Sequence, residues 1–247
     1  QRELKSDVMS LRRDVGRSTW IDSEIDAAGS ISRVLGGEDA PAPYDLDDMA
    51  TDVLALCDHI GAERAHLFGV SMGAMIAQQV AIRAPERVAG LVSVMSTTGD
   101  PDVGQPTSAA LAALIAPTHD ERDPYVARAV EKGEVLAGDG GEVDLDWVAE
   151  RAGLAFDRGI NPDATPRHLL AILVSPSRSD GLRALDVPAL VIHGEQDPLV
   201  AISGGQRTAE CLQGSEFLPL DGVGHDMPRY YWATVIHHVV ALAARAG

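Results

Sequence analysis

Lysine is almost missing from this 247-residue chain, occurring only at Lys5 and Lys132 among 20 basic residues set against 37 acidic ones. The formal net charge of -17 argues against nucleic acid or an anionic membrane surface as partner, since both need basic patches. Aromatic residues make up 4% of the chain, so an aliphatic core is expected. No apolar run reaches the ~18 residues of a membrane span. The charged stretch Gln1–Ser10 lacks the apolar segment of a signal peptide. Two cysteines, Cys57 and Cys211, do not make a disulfide framework; each sits in a helical pattern and reads as a buried free thiol. A cytoplasmic address is the expectation. Metal-ligand spacing is missing too, and so are a P-loop and a dinucleotide fingerprint.

What is present is an alternation of strand-like and helix-like segments, which predicts an α/β fold with a mostly parallel sheet flanked by helices. Strands are expected at Asp7–Leu11, Ala65–Val70, Val88–Met95, Pro188–His193 and Glu216–Leu220. Helical faces are expected over Leu46–Ile60, Met72–Arg83 and Tyr230–Ala246, and Gly29–Pro43 reads as a loop rich in small residues. Between Gly99 and Arg178 the texture changes to short helical patterns: Ser108–Ala116, Tyr125–Leu136, Leu145–Phe156 and Pro166–Val174. Residues 1–98 and 179–247 are therefore read as the core, and 99–178 as an inserted all-helical lid.

Gly69-Val70-Ser71-Met72-Gly73 has the G-x-S-x-G pattern, with an apolar strand entering and a small-residue helix leaving. A sharp strand-to-helix turn of this kind holds the Ser71 hydroxyl exposed. It also aims the Met72 backbone N–H at a developing oxyanion. A capping serine in an ordinary turn is the bland reading. A serine hydroxyl needs a base oriented by a third group. His225, in Gly222-Val223-Gly224-His225-Asp226 just after a predicted strand, is placed to reach the sheet's carboxyl edge. For the acid, Asp197 in Gly194-Glu195-Gln196-Asp197-Pro198 is favoured over Glu195 and over Asp100, which follows the Val88–Met95 strand. His66 falls inside a predicted strand, His237 and His238 on the terminal helix, and His119 and His168 within the lid. His193, at a strand end, is the other histidine of interest. Arg12, Arg13 and Arg17 could bind an anionic substrate, with a solvated or Asp14-paired cluster as the default reading.

These motifs, with His193-Gly194-Glu195-Gln196-Asp197-Pro198 and Gly224-His225-Asp226-Met227-Pro228, resemble the lipase and carboxylesterase branch of the α/β-hydrolase fold. Arg13-Asp14-Val15-Gly16-Arg17-Ser18-Thr19 is similar to the loop after that branch's fourth strand, as in polyketide methylesterase-type hydrolases. The resemblance implies a cofactor-free serine hydrolase cleaving carboxylic esters through an acyl-enzyme. Ser71 would be the nucleophile, His225 the base, Asp197 the acid and Met72 an oxyanion donor. The sequence departs from the pattern at Leu11, where an acidic residue is usual. It also lacks a match to the family's first three strands and the His-Gly-type loop that supplies a second oxyanion N–H. N-terminal strands are thus expected to be missing: either the sequence is incomplete, or a partner such as a second copy covers the exposed sheet edge, or activity is impaired.

An aspartate nucleophile would have marked a dehalogenase or epoxide hydrolase, and Ser71 argues against both. A cofactor-free perhydrolase or haloperoxidase with the same three residues is the alternative enzyme. A non-catalytic hydrolase-fold binding protein is the alternative of another class. The apolar runs Leu111–Ile115 and Leu169–Val174 suggest a small, apolar ester substrate, with lid packing as the bland reading.

Overall fold

The computed structural model describes residues 13–138 and 143–245. Four parallel strands, β1 (Ala65–Val70), β2 (Val88–Val94), β3 (Ala189–Gly194) and β4 (Glu216–Leu220), lie side by side in chain order. Parallel neighbours require crossovers, which helices supply, and helices cover both faces of the sheet. All six residues of β3 are buried, which explains its unbroken apolar run. β1 instead has Phe68 52% exposed and Val70 46% exposed. Among the described residues β1 and β4 are the edge strands. The predicted strand Asp7–Leu11 and Arg12 lie outside the described residues.

Ten α-helices complete the architecture among those residues. The first is α1 (Ala27–Leu35), started by the Asp26 side chain accepting from Gly29 N–H. Its position corrects the expected Gly29–Pro43 loop: glycine and serine weaken helical propensity, but the cap and packing against a later helix override it. Helix α2 (Leu46–His59) opens with a capping box between Asp45 and Asp48. Helix α3 (Met72–Arg83) leaves the β1 turn and buries Met72, Met75, Ile76 and Val80. Between β2 and β3 come α4 (Ser108–Ile115), α5 (Arg122–Leu136), α6 (Leu145–Asp157), α7 (Ala164–Val174) and the short α8 (Ser179–Arg183), with no strand among the described residues there. Helix α9 (Ile202–Cys211) crosses from β3 to β4, and α10 (Trp232–Arg245) ends the description.

The core is aliphatic. On one face of the sheet Val80, Leu91, Leu182, Val191 and Cys211 meet; on the other, Val92, Leu190, Ile192, Leu220 and Leu242 meet. Burying each large aliphatic side chain stabilises the fold by roughly 1.5–3 kcal/mol. Both cysteines are free, Cys211 buried and Cys57 half-buried. Leu170 and Ala171 of α7 are fully buried, and Ala171 packs with Tyr44, Met72 and Met75. The α7 apolar run is therefore largely packing, and α7 is fastened to the core.

Candidate active site

Parallel strands send their carboxyl ends to one edge, so the turns after β1, β3 and β4 share it. Ser71 occupies the first of these turns with φ +54° and ψ -122°, a left-handed conformation uncommon for a residue with a Cβ. The turn is held from three sides. Ser71 N–H donates to Val94 O at 2.8 Å, Ser96 Oγ–H donates to Ser71 O at 3.0 Å, and Ala74 N–H donates to the same oxygen at 2.9 Å. Gly69 is needed here, since a Cβ on it would lie 2.4 Å from Gly73 O and 2.5 Å from Ala74 N. Gly73 is not under that constraint; a Cβ there would meet nothing. Met72 begins α3, so its N–H belongs to the first turn, whose donors have no intrahelical acceptor.

Asp197 and His225 are brought together. Nδ1 of His225 lies 2.7 Å from Oδ2 of Asp197, whose side chain is fully buried. A carboxylate only accepts, so Nδ1 donates this bond, and in the neutral ring Nε2 is the nitrogen left to accept a proton. The other oxygen of Asp197 accepts N–H bonds from Leu199 at 2.9 Å and Val200 at 2.8 Å. Pro198 thus stands in a turn that fixes the carboxylate's orientation.

Asp100 is differently engaged. Its carboxylate accepts from Ser177 Oγ, from Ser179 Oγ at 2.7 Å and from Arg207 Nη1 at 2.6 Å. Burial alone would raise its pKa, but the hydrogen bonds from Ser177, Ser179, Arg207 and Thr98 outweigh it and hold the carboxyl well below the usual range. Glu195 is exposed. Beneath this loop Arg178 is buried, donating to Gln78 Oε1 and to Thr97 O, both at 2.9 Å; burial lowers its pKa to about 10.

The remaining histidines separate clearly. His66, His119 and His237 are exposed. His168 on α7 is buried and hydrogen-bonds the Arg13 carbonyl at 2.8 Å, and His238 pairs with Glu216. His193 is fully buried, with Nε2–H donating to Val200 O at 2.7 Å and 3.5 Å from Asp197 Oδ2. Its Nδ1 has no partner and faces Gly205, where a Cβ would stand 2.3 Å away. Burial lowers its pKa, so the ring is kept neutral.

The arginine cluster is arranged otherwise than expected. Arg13 pairs with Asp52 through two hydrogen bonds, the Nη2 contact at 2.9 Å, and Arg17 is exposed. Asp14, buried and at φ +64°, belongs to Arg167 of α7 at 3.3 Å, with Tyr44 Oη at 2.7 Å and Asn161 Nδ2 at 3.1 Å. Burial and then the Asp14 hydrogen bond push the Tyr44 phenol far above its ordinary value. The Arg13–Asp14 motif signalled a special loop, but partners about 150 residues away carried no local signal.

A cleft of roughly 200 Å³ opens beside the His225 loop, lined by Asp144 and Trp147 of the α6 start and by Asp226, Met227 and Arg229. The Arg229 guanidinium lies 4.6 Å from the Trp147 ring and 5.5 Å from the Trp232 ring. No described helix is long and apolar enough to cross a membrane.

Known proteins resemble this arrangement along most of the chain. Rhodomycin D methylesterase of Streptomyces peucetius is 27% identical over 205 residues, spanning 75% of this chain and 69% of its own. The 3-oxoadipate enol-lactonase 2 of Acinetobacter baylyi is 25% identical over 191 residues, 73% of this chain and 65% of that one. The crystallised meta-cleavage product hydrolase of Pseudomonas fluorescens superposes with a TM-score of 0.64 at 21% identity, covering 83% of this chain and 73% of that one. The sequence signature of the alpha/beta hydrolase fold matches residues 29–227, and this chain belongs to that family.

Proposed function

We propose that this α/β-hydrolase cleaves carboxylic esters through an acyl-enzyme formed on Ser71. The observation that carries the reading is the buried Asp197–His225 pair, 2.7 Å apart, on the sheet edge that also presents the strained Ser71. Ser71 Oγ attacks the ester carbonyl while His225 Nε2 takes its proton, and the alcohol leaves with that proton returned. Water repeats the sequence on the acyl-enzyme. Asp197 keeps the imidazole in the Nδ1–H tautomer and stabilises the imidazolium, and its own geometry is fixed by Leu199 and Val200 N–H. Met72 N–H, in the first turn of α3, faces the charge that develops on the carbonyl oxygen.

A methylesterase and an enol-lactonase among the relatives support ester chemistry. Helices α4–α7 act as the lid over the site, and the substrate is a small apolar ester. A fluorophosphonate probe tests the nucleophile without requiring the right ester. Labelling should be confined to Ser71 by mass spectrometry and lost in Ser71→Ala, which should also lower kcat by at least about 10⁴-fold. A folded Ser71→Ala protein that still hydrolyses esters would overturn the mechanism.

A further inference from the structure

Helix α5 ends against the two loops that carry Asp197 and His225. The last four carbonyls of an α-helix have no intrahelical partner. One of them, Leu136 O, accepts the backbone N–H of His225 itself at 2.7 Å. Gly224 presses on the same turn: a Cβ there would stand 2.2 Å from Leu136 O and 2.3 Å from Ala137 O. On the other side Gly138, at φ +73°, abuts the acid loop, where a Cβ would stand 2.6 Å from Gln196 O. Gln196 N–H in turn donates to Val223 O at 2.9 Å, joining the two loops. The turn Leu136–Gly138 is thus wedged between them, with Ala137 buried and no room for a side chain at either glycine.

We propose that this turn positions His225, with Gly224 as the residue whose missing side chain permits the contact. The inference rests on the serine-hydrolase reading above. It gives the α4–α7 segment a second task besides covering the site. When α5 shifts, the His225 N–H loses its acceptor and the imidazole's position changes with it. A helix end and a catalytic loop sharing one hydrogen bond cannot move separately without leaving a polar group unpaired. Displacements of about 1 Å in such a geometry cost up to about 100-fold in rate. The effect falls on the chemical step, because the contact is made behind the imidazole by backbone atoms.

The test compares the wild type with Gly224→Ala. The substitution should lower kcat by about 10- to 100-fold with KM within about threefold. Fluorophosphonate labelling of Ser71 should slow by the same factor. Gly138→Ala, which strains the acid-loop contact instead, should act in the same direction. Hydrogen exchange on the wild-type chain, before and after labelling, provides the measurement that needs no variant. Peptides covering 133–138 and 221–228 should gain or lose protection together when Ser71 is phosphonylated. A folded Gly224→Ala protein with an unchanged labelling rate, or independent exchange of the two peptides, overturns the inference. Absence of labelling in the wild type would instead sink the serine-hydrolase reading, and exchange of the same two peptides compared between wild type and Gly224→Ala would still report on the contact.

Discussion

Two aspartates leave neighbouring strands at the same edge of the sheet, and their surroundings divide them. Asp100, beyond β2, has its carboxylate taken up by Ser177, Ser179 and Arg207. Asp197, beyond β3, receives two backbone N–H bonds on one oxygen and offers the other to His225. Position along the chain made both plausible partners for a histidine. Accounting for each oxygen separates them: Asp100 is saturated by groups that tie loops together, while Asp197 is held rigid and left one acceptor. In the proposed mechanism the carboxylate that orients the base needs fixed geometry and an oxygen free to meet it, and the turn through Pro198 leaves Asp197 both.

The sharpest way to break this comparison is to remove the charge from each aspartate in turn. Asp197→Asn should retain the bonds from Leu199 and Val200 but present an N–H to His225, forcing the wrong tautomer. The expected cost is about 10⁴-fold in kcat, read from steady-state ester hydrolysis. Asp100→Asn should leave kcat within about twofold. A large loss of kcat from Asp100→Asn with a mild one from Asp197→Asn would reverse the roles.

Asp100 should show itself in stability instead. Asp100→Ala leaves Ser177, Ser179 and Arg207 without their common acceptor. Its side chain is 12% exposed and Arg207 25% exposed, so part of the loss is made up by water. We expect a decrease of about 1.5–3 kcal/mol in urea unfolding. In the wild type this contribution is present above the unfolded carboxylate value of ~3.9 and is lost as pH falls toward the depressed folded value. The same substitution should therefore flatten the acid limb of the stability profile.

His193 extends the comparison to the group behind Asp197. Its folded pKa lies below its unfolded value because burial disfavours the charged ring. The unfolded chain consequently takes up the proton first. Stability from this group is full above ~6.5 and is lost as pH falls through that value toward the folded one. His193→Gln keeps an N–H within reach of Val200 O and removes the titration. Melting curves between about pH 7.5 and 5 should slope less for the variant, and an unchanged slope would show that His193 does not titrate on unfolding.

The parts of this arrangement differ in how far the sequence reveals them. β1 to β4 were legible as short apolar runs; β2 and β3, central and parallel, bury nearly all their residues, while β1 and β4 at the edges are partly exposed. Ser71, Asp197 and His225 were legible because each stands just beyond such a run, where the parallel sheet must bring loops together. Helix α1 was not, since its sequence is small and glycine-bearing and its packing partner α7 comes more than a hundred residues later. Around Cys211 the sequence showed a helical pattern, and α9 forms there despite its two glycines; Gly205 is there because the His193 ring occupies the space of its side chain. Arg13 was read as part of a solvated or Asp14-paired cluster, whereas folding gives it Asp52 and gives Asp14 to Arg167. Ion-pair partners depend on tertiary geometry, which local spacing does not encode.

The smallest expected effect concerns Glu195, two residues before Asp197 and a candidate for its role on spacing alone. Its side chain is exposed, and its structural contribution runs through its backbone N–H, which donates to Leu220 O at 3.0 Å. Glu195→Gln leaves that bond intact and removes a charge that water already screens. Surface substitutions of this kind change stability by about 0.5 kcal/mol or less, and kcat should stay within about twofold. The comparison with Asp197→Asn is then a strict one, because the two variants alter carboxylates on the same short loop. Equal losses would mean that the loop's total charge, and not the single oxygen facing His225, sets the base; a four-decade gap between them would tie the effect to that oxygen alone.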